Sequence, residues 1–338
     1  MYLGILRMFC GDKQRGMSDV KFFSLVILVL LGFGFGQDLV EDDVVGDIDD
    51  VSEAEIDETI SKSIPRGDCY GTHVGFGYSG GPDYHYEMLI KRYKGCTHVE
   101  GNLEIASLSS SANISYDLSF LSTIEVVTGY VLLGLLDVDV IPLTSLKLIR
   151  ADNTYKILGE EYGLVVALTT EHDGSRRTGL RELQLPALRE IARGKVLFQQ
   201  NPLLCFVDTI AWNVIVPREE YPVIFGENAY DKACDLQCAS ECEEDGKPYC
   251  WGQGIDMCQT VHTPVCDPFC PGRCFNEDIF GCCHPECAVG CTGPSDTDCV
   301  MCKYFEHDGR CVPSCPADVS YREGQVCRRH LDNYLPND

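Results

Sequence analysis

Seventeen of the 21 cysteines lie between Cys234 and Cys327. They form a ladder with mostly three-residue gaps: Cys238 and Cys242, then Cys266, Cys270 and Cys274, then Cys282-Cys283 followed by Cys287 and Cys291. A stretch this dense in cysteine and this thin in Leu, Ile and Val cannot hold its shape with an apolar core. Disulfides or metal ions must staple it. Structural zinc favours Cys-x2-Cys or Cys-x4-Cys knuckles with a second pair after a loop. The three-residue gaps, the even number of cysteines after Cys10 and an export-like leader favour disulfides over metal. Cys299-Val-Met-Cys302 has redox-motif spacing but no βαβ context, and reads as two structural half-cystines with different partners.

The leader is the apolar run Phe22 to Phe33, preceded by Lys21 and ended by the small-x-small pattern Gly34-Phe35-Gly36. Residues 1–36 read as a secretory signal peptide, with Met17 as an alternative start. A signal anchor is the competing reading, although the run is shorter than the ~20 residues of a comfortable span. The chain is therefore expected outside the cell, and at a membrane only if it continues beyond Asp338. Residues 37–67 follow as a predicted disordered segment, because eleven of residues 37–64 are acidic and repel one another. The net charge of -25 argues against nucleic acid, which needs clustered Lys and Arg.

Between leader and ladder the composition is that of a conventional core. Tyr86, Leu89, Ile90 and Tyr93 sit at helical spacing within Asp83 to Lys94, with Asp83 as the expected cap. Leu121, Ile124 and Val127 then announce a pattern that Leu143, Leu146 and Ile149 repeat, and Leu185, Leu188 and Ile191 repeat again. The starts are 22 and then 42 residues apart, which reads as one and then two periods of a stacked solenoid. Gly101 to Ile105 reads as an earlier strand of the stack.

Smaller motifs are weaker. Gly75-x-Gly77-x-x-Gly80 matches a phosphate-loop pattern but meets Pro82 and follows no strand. No kinase signature, nucleophile with a paired histidine, or cofactor motif is present, and His284 reads as structural. Asn113-Ile-Ser115 is a glycosylation sequon, expected on the surface. Arg66-Gly67-Asp68 is an integrin-type tripeptide, for which chance is the better explanation.

Cys96-Thr-His-Val-Glu-Gly-Asn-Leu-Glu-Ile, Tyr116-Asp-Leu-Ser-Phe-Leu, Gly129-Tyr-Val-Leu, Asn201-Pro-Leu-Leu-Cys205 and Ile210-Ala-Trp212 resemble the first L domain of the epidermal growth factor receptor family. Cys250-Trp-Gly, Cys258-Gln, Cys282-Cys-His and Cys287-Ala-Val-Gly-Cys-Thr-Gly-Pro resemble its furin-like cysteine-rich region. The insulin receptor branch is a close relative. The resemblance implies a mainly β fold. A right-handed β-helix or solenoid with one N-terminal helix would span 68–233, a disulfide-stapled rod with little regular structure 234–327, and a tail 328–338.

The resemblance also implies a pairing: Cys69 with Cys96, Cys205 with Cys234, Cys238 with Cys250, Cys242 with Cys258, Cys266 with Cys274, Cys270 with Cys282, Cys283 with Cys291, Cys287 with Cys299, Cys302 with Cys311 and Cys315 with Cys327. It implies that Trp251 inserts into the end of the L-domain stack. It implies a sheet face that meets a growth-factor-like ligand, with Leu135, Tyr155 and Leu168 near matching positions. Departures are visible. Ser107 stands where a large aromatic is usual, and Lys156 to Glu161 carries a small insertion. The family's dimerisation arm would lie between Cys315 and Cys327, where Pro316 to Val326 are too few to build it. The chain is expected to be a non-catalytic ectodomain fragment without a cofactor. Its expected partners are a growth-factor-like ligand or a full-length receptor. The alternative is the amino-terminal part of a transmembrane receptor tyrosine kinase.

Overall fold

A computed structural model of the chain describes residues 67–330, apart from 79, 109–115, 173–176, 217–221, 227, 229–233, 235, 261–263 and 265. The expected signal peptide, the acidic segment, Asn113 and residues 331–338 lie outside the described residues.

Two parallel sheets carry the first half. The first runs in the order Asp68–Tyr70, His98–Glu100, Val126–Val127, Leu148–Ile149, Glu190–Ile191. The second runs Leu103–Leu108, Val131–Leu136, Glu160–Ala167, Lys195–Gln199, Val223–Gly226. A shorter parallel pair, Val140–Pro142 with Glu182–Gln184, forms a third side. The chain visits the sheets in turn, so each circuit is one coil of a β-solenoid. Side chains alternate along each strand. Leu103, Ile105, Val131, Leu133, Leu164, Val166, Val196 and Phe198 point into one buried core, which also holds the Leu/Ile/Val repeat read from the sequence.

Coil counting corrects one expectation. Leu148 pairs with Glu190 and Ile149 with Ile191, so the 42-residue interval is a single enlarged coil and not two periods. A coil is closed by strand register, not by chain length, and corners absorb extra residues. Here they form two hairpins, Tyr155–Ile157 against Glu160–Ala167 and Thr170–His172 against Arg177–Gly179. The first turns at Leu158 and Gly159, both at positive φ (52° and 84°), as a two-residue turn between antiparallel strands requires.

The helix spans Pro82–Tyr93 and buries Leu89 and Tyr93, with Tyr86 packed against the core. Its N-cap is Gly81, not Asp83; Pro82 occupies the first turn and makes Asp83 a first-turn residue, where its charge still suits the helix dipole.

Among its described residues the cysteine-rich half contains only short strands and 3-10 turns: the pairs Glu243–Glu244 with Lys247–Pro248 and Cys287–Cys291 with Cys299–Cys302, and a four-stranded terminal sheet. Ten disulfides staple the chain, joining the same pairs that the resemblance implies. Cys299 bonds to Cys287 and Cys302 to Cys311, so the Cys-x2-Cys spacing holds no redox pair. The last strand, Val326–Arg329, runs through Cys327 into the residues read as tail.

The rod lies along the first sheet and runs opposite to the direction of coil stacking. Trp251 is 1% exposed and packs edge-on against Trp212, 5.5 Å between centroids, inside the solenoid core. Next along, Arg273 is bonded to the carbonyls of Val214 and Arg189, both at 2.6 Å, and lies 3.4 Å from Glu190. Ala288 then packs on Val126 and Leu148. Arg150 reaches the carbonyl of Lys303 at 3.1 Å and stacks on Tyr304. Arg322 finally meets Glu100.

Candidate functional site

With the first sheet covered by the rod, the outer face of the second sheet is the place to look for a binding surface. Strand alternation sends Glu104, Leu132, Val165 and Leu197 outward. Leu132, Val165 and Leu197 join Phe76, Tyr130, Ile157, Tyr162 and Ala167 in a second apolar layer, separate from the core. Leu135, Tyr155, Leu168 and Ile224 pack on that layer while remaining partly exposed. The structure therefore brings Leu135, Tyr155 and Leu168 to one surface.

The placement of Leu135 and Leu168 has a backbone cause. Ala106, Gly134, Ala167 and Gln199 are successive register partners across four strands. The residue after each, Ser107, Leu135, Leu168 and Gln200, has positive φ: 59°, 52°, 58° and 56°. Left-handed backbone is costly for residues with a Cβ, and for leucine it is a genuine outlier. Repeated in register, it lines four side chains into one row along the stack. Sequence reading found two members of this row and identified Ser107 only as a departure; nothing in the residue types signals the backbone turn.

One end of the face is closed by the segment that bears the glycine-rich decoy. Glu104 is buried, and its carboxylate accepts hydrogen bonds from Thr72 Oγ1 (2.8 Å), the Val74 amide (2.7 Å), the Gly75 amide (3.0 Å) and the Tyr130 hydroxyl (2.6 Å). The first amide of the glycine-rich motif, that of Gly75, is thus given to the protein's own carboxylate. Pinned this way, Phe76 drops onto Gly134, where any Cβ would come within 2.2 Å of its ring. Tyr155 meets Phe76 and Tyr130 edge-on, at 6.1 and 5.3 Å between centroids. Burial, followed by Glu104, raises both phenols. Tyr155 is pushed up to about 12 and Tyr130 higher still, so both hydroxyls keep their protons at neutral pH. Phe76 and Glu104 were missed in the sequence; only the Gly-Asn-Leu-Glu-Ile match touched Glu104.

Other candidates resolve differently. Asp68 of the integrin-type tripeptide does not project into solvent: it lies in a strand with its carboxylate against Gly324. His284 accepts the Glu286 amide within a turn, at 3.3 Å. Among the described residues no group of His, Cys, Asp and Glu is placed to hold a metal ion, and no helix is long and apolar enough to cross a membrane.

Family models match two stretches: residues 95–216 fit the receptor L domain, and residues 227–333 fit the furin-like cysteine rich region. No kinase domain is present in the chain. The receptor tyrosine-protein kinase erbB-2 of Mus musculus is 36% identical over 263 residues, covering 75% of this chain and 20% of that protein. The epidermal growth factor receptor of Gallus gallus is 37% identical over 253 residues, 75% of this chain and 34% of the receptor. The epidermal growth factor receptor of Drosophila melanogaster is 34% identical over 260 residues, 75% of this chain and 17% of the receptor. The chain thus spans between 17% and 34% of the length of these relatives. It belongs to the epidermal growth factor receptor family, of which it carries the receptor L domain and the furin-like cysteine-rich region.

Proposed function

We propose that the chain is an exported, non-catalytic receptor ectodomain segment that engages a growth-factor-like protein ligand on the outer face of its second sheet. The observation that carries this reading is the row of partly exposed apolar side chains, Leu135 and Leu168 beside Tyr155, on the face opposite the rod. Apolar anchors held on rigid strands lose little freedom on binding, which is how a few residues come to dominate an interface. Ten disulfides favour an oxidising, extracellular setting. Acting alone, the segment occupies ligand or receptor surface without a kinase to transmit the event, as a decoy or modulator. The second reading is that it works as the amino-terminal part of a membrane-spanning receptor tyrosine kinase; the names of its relatives favour that one.

The experiment is a binding screen of the secreted chain against growth-factor-like ligands, followed by Leu135→Ala and Leu168→Ala. Each change is expected to weaken a captured ligand about tenfold, since a well-packed anchor is worth ~1–2 kcal/mol, with the melting temperature nearly unchanged. Binding that survives both changes would remove this face from the reading. Loss of ligand-driven tyrosine phosphorylation on co-expression with a full-length receptor separates the decoy role from the second reading.

A further inference from the structure

The hairpin Ser320–Glu323 with Val326–Arg329 occupies the place where the family resemblance puts a projecting arm, and here it turns inward. It is rooted in the preceding module: the Glu306 amide donates to the Gln325 carbonyl at 2.7 Å, and the Cys315–Cys327 disulfide ties its base. Its Arg322 sits opposite Cys327 in register, next to that staple. The guanidinium is held three ways. Its Nε donates to the Gly324 carbonyl at 3.1 Å, its flat face lies 5.1 Å from the centre of the Phe305 ring, and its Nη2 pairs with Glu100 of the solenoid. Beside it, Gly324 comes so close to Asp68 that a Cβ there would lie 2.9 Å from Oδ1 and 3.0 Å from Oδ2. Its φ of +62° and this contact both demand glycine. His98 faces Glu100 at 3.8 Å, and Glu323 is the other carboxylate near Asp68. Arg322 thus faces acids on strands more than 200 residues away in the chain, while Glu323 pairs with Arg328 on its own hairpin.

We propose that this hairpin is an intramolecular clasp. Arg322 closes on Glu100 of the same chain, Gly324 seats on Asp68, and the two contacts lock the far end of the rod onto the first coil of the solenoid, so the hairpin is withheld from any partner while closed. The pair is half-exposed, which makes the clasp sensitive to salt and able to open without unfolding either half. The earlier stations at Arg273 and Arg150 hold the rod while the clasp opens.

The test is hydrogen exchange, read by mass spectrometry, on the full secreted chain. Arg322→Glu is expected to speed exchange about fivefold at residues 320–326 and at strands 68–70 and 98–100, the scale of one exposed ion pair. Exchange around Arg273 should not change. Arg322→Glu combined with Glu100→Arg is expected to restore protection, and raising salt on the unaltered chain to mimic the single change. Unchanged exchange in the single variant, or a double variant as exchange-prone as the single, overturns the clasp. Should the variant fail to be secreted, the salt series alone decides: uniform or absent salt response at the hairpin overturns it too.

Discussion

Four donors from two parts of the chain, residues 72–75 and Tyr130, converge on the carboxylate of Glu104. A glutamine would keep one acceptor oxygen and point an NH2 group at amides that already donate. Glu104→Gln is therefore expected to cost about 1–3 kcal/mol, the usual penalty for stranding a buried polar group. The reading is a melting temperature lower by several degrees, with faster exchange confined to residues 72–78. An unchanged melting temperature would show that the segment is held by Phe76 alone. This residue also marks a limit of sequence reading. The Gly-Asn-Leu-Glu-Ile match placed Glu104 on a strand, and alternation points it outward, yet the residues that bond it come from 26 to 32 positions away. The pattern of Gly75, Gly77 and Gly80 matched a phosphate loop only weakly, and the carboxylate that takes the Gly75 amide could not be read from it.

At the scale of elements, periodicity was legible where it came from burial. Every Leu, Ile and Val of the three-fold repeat is in the core. What could not be read was which intervals make a coil. Strand register decides that, and register depends on pairing between segments that share no local signal. The pairing of the cysteines came from the resemblance and not from spacing, which leaves all connectivities open. The element with the most distinctive chemistry is the terminal hairpin. Glu100, which receives it, is lowered to about 2, first by His98, 3.8 Å away, and then by Arg322, against the opposing effect of burial. An unfolded glutamate titrates near ~4.3. The folded value is lower, so this group adds stability that is fully present above about pH 4.3 and is lost as pH falls towards 2. Asp68 is raised, chiefly by burial, and opposes it over the acid range. Glu100→Gln is thus expected to flatten the fall in melting temperature between pH 5 and pH 2 relative to the unaltered chain. Parallel curves would mean that the pair contributes nothing to folding.

For the whole molecule, one sheet holds the rod and the outer face of the other is left to the proposed ligand. The rod covers the first sheet from the last coil to the first, with Trp251 filling the end of the stack. That leaves the outer face of the second sheet, with its left-handed row, as the exposed apolar surface of the solenoid. Composition had announced two halves of different construction; their contact surface was not legible beyond Trp251. Arg273, Arg150 and Arg322 look like ordinary surface cations in the sequence.

The opposed directions of solenoid and rod also fold the molecule back to its own beginning. Asp68 and Gly324 are in contact, so the chain enters the described structure beside the tip of the hairpin with which that structure ends. A circular permutant follows as a concrete expectation: residues 330 and 67 joined by a glycine-serine linker long enough to run the length of the terminal hairpin, with new ends opened between residues 172 and 177 at the tip of the second hairpin, should be secreted with all ten disulfides formed and no thiol open to labelling. Whatever is attached before residue 67 and after residue 330 is then separated by one hairpin length, and both attachments lie at the opposite end of the stack from Trp251.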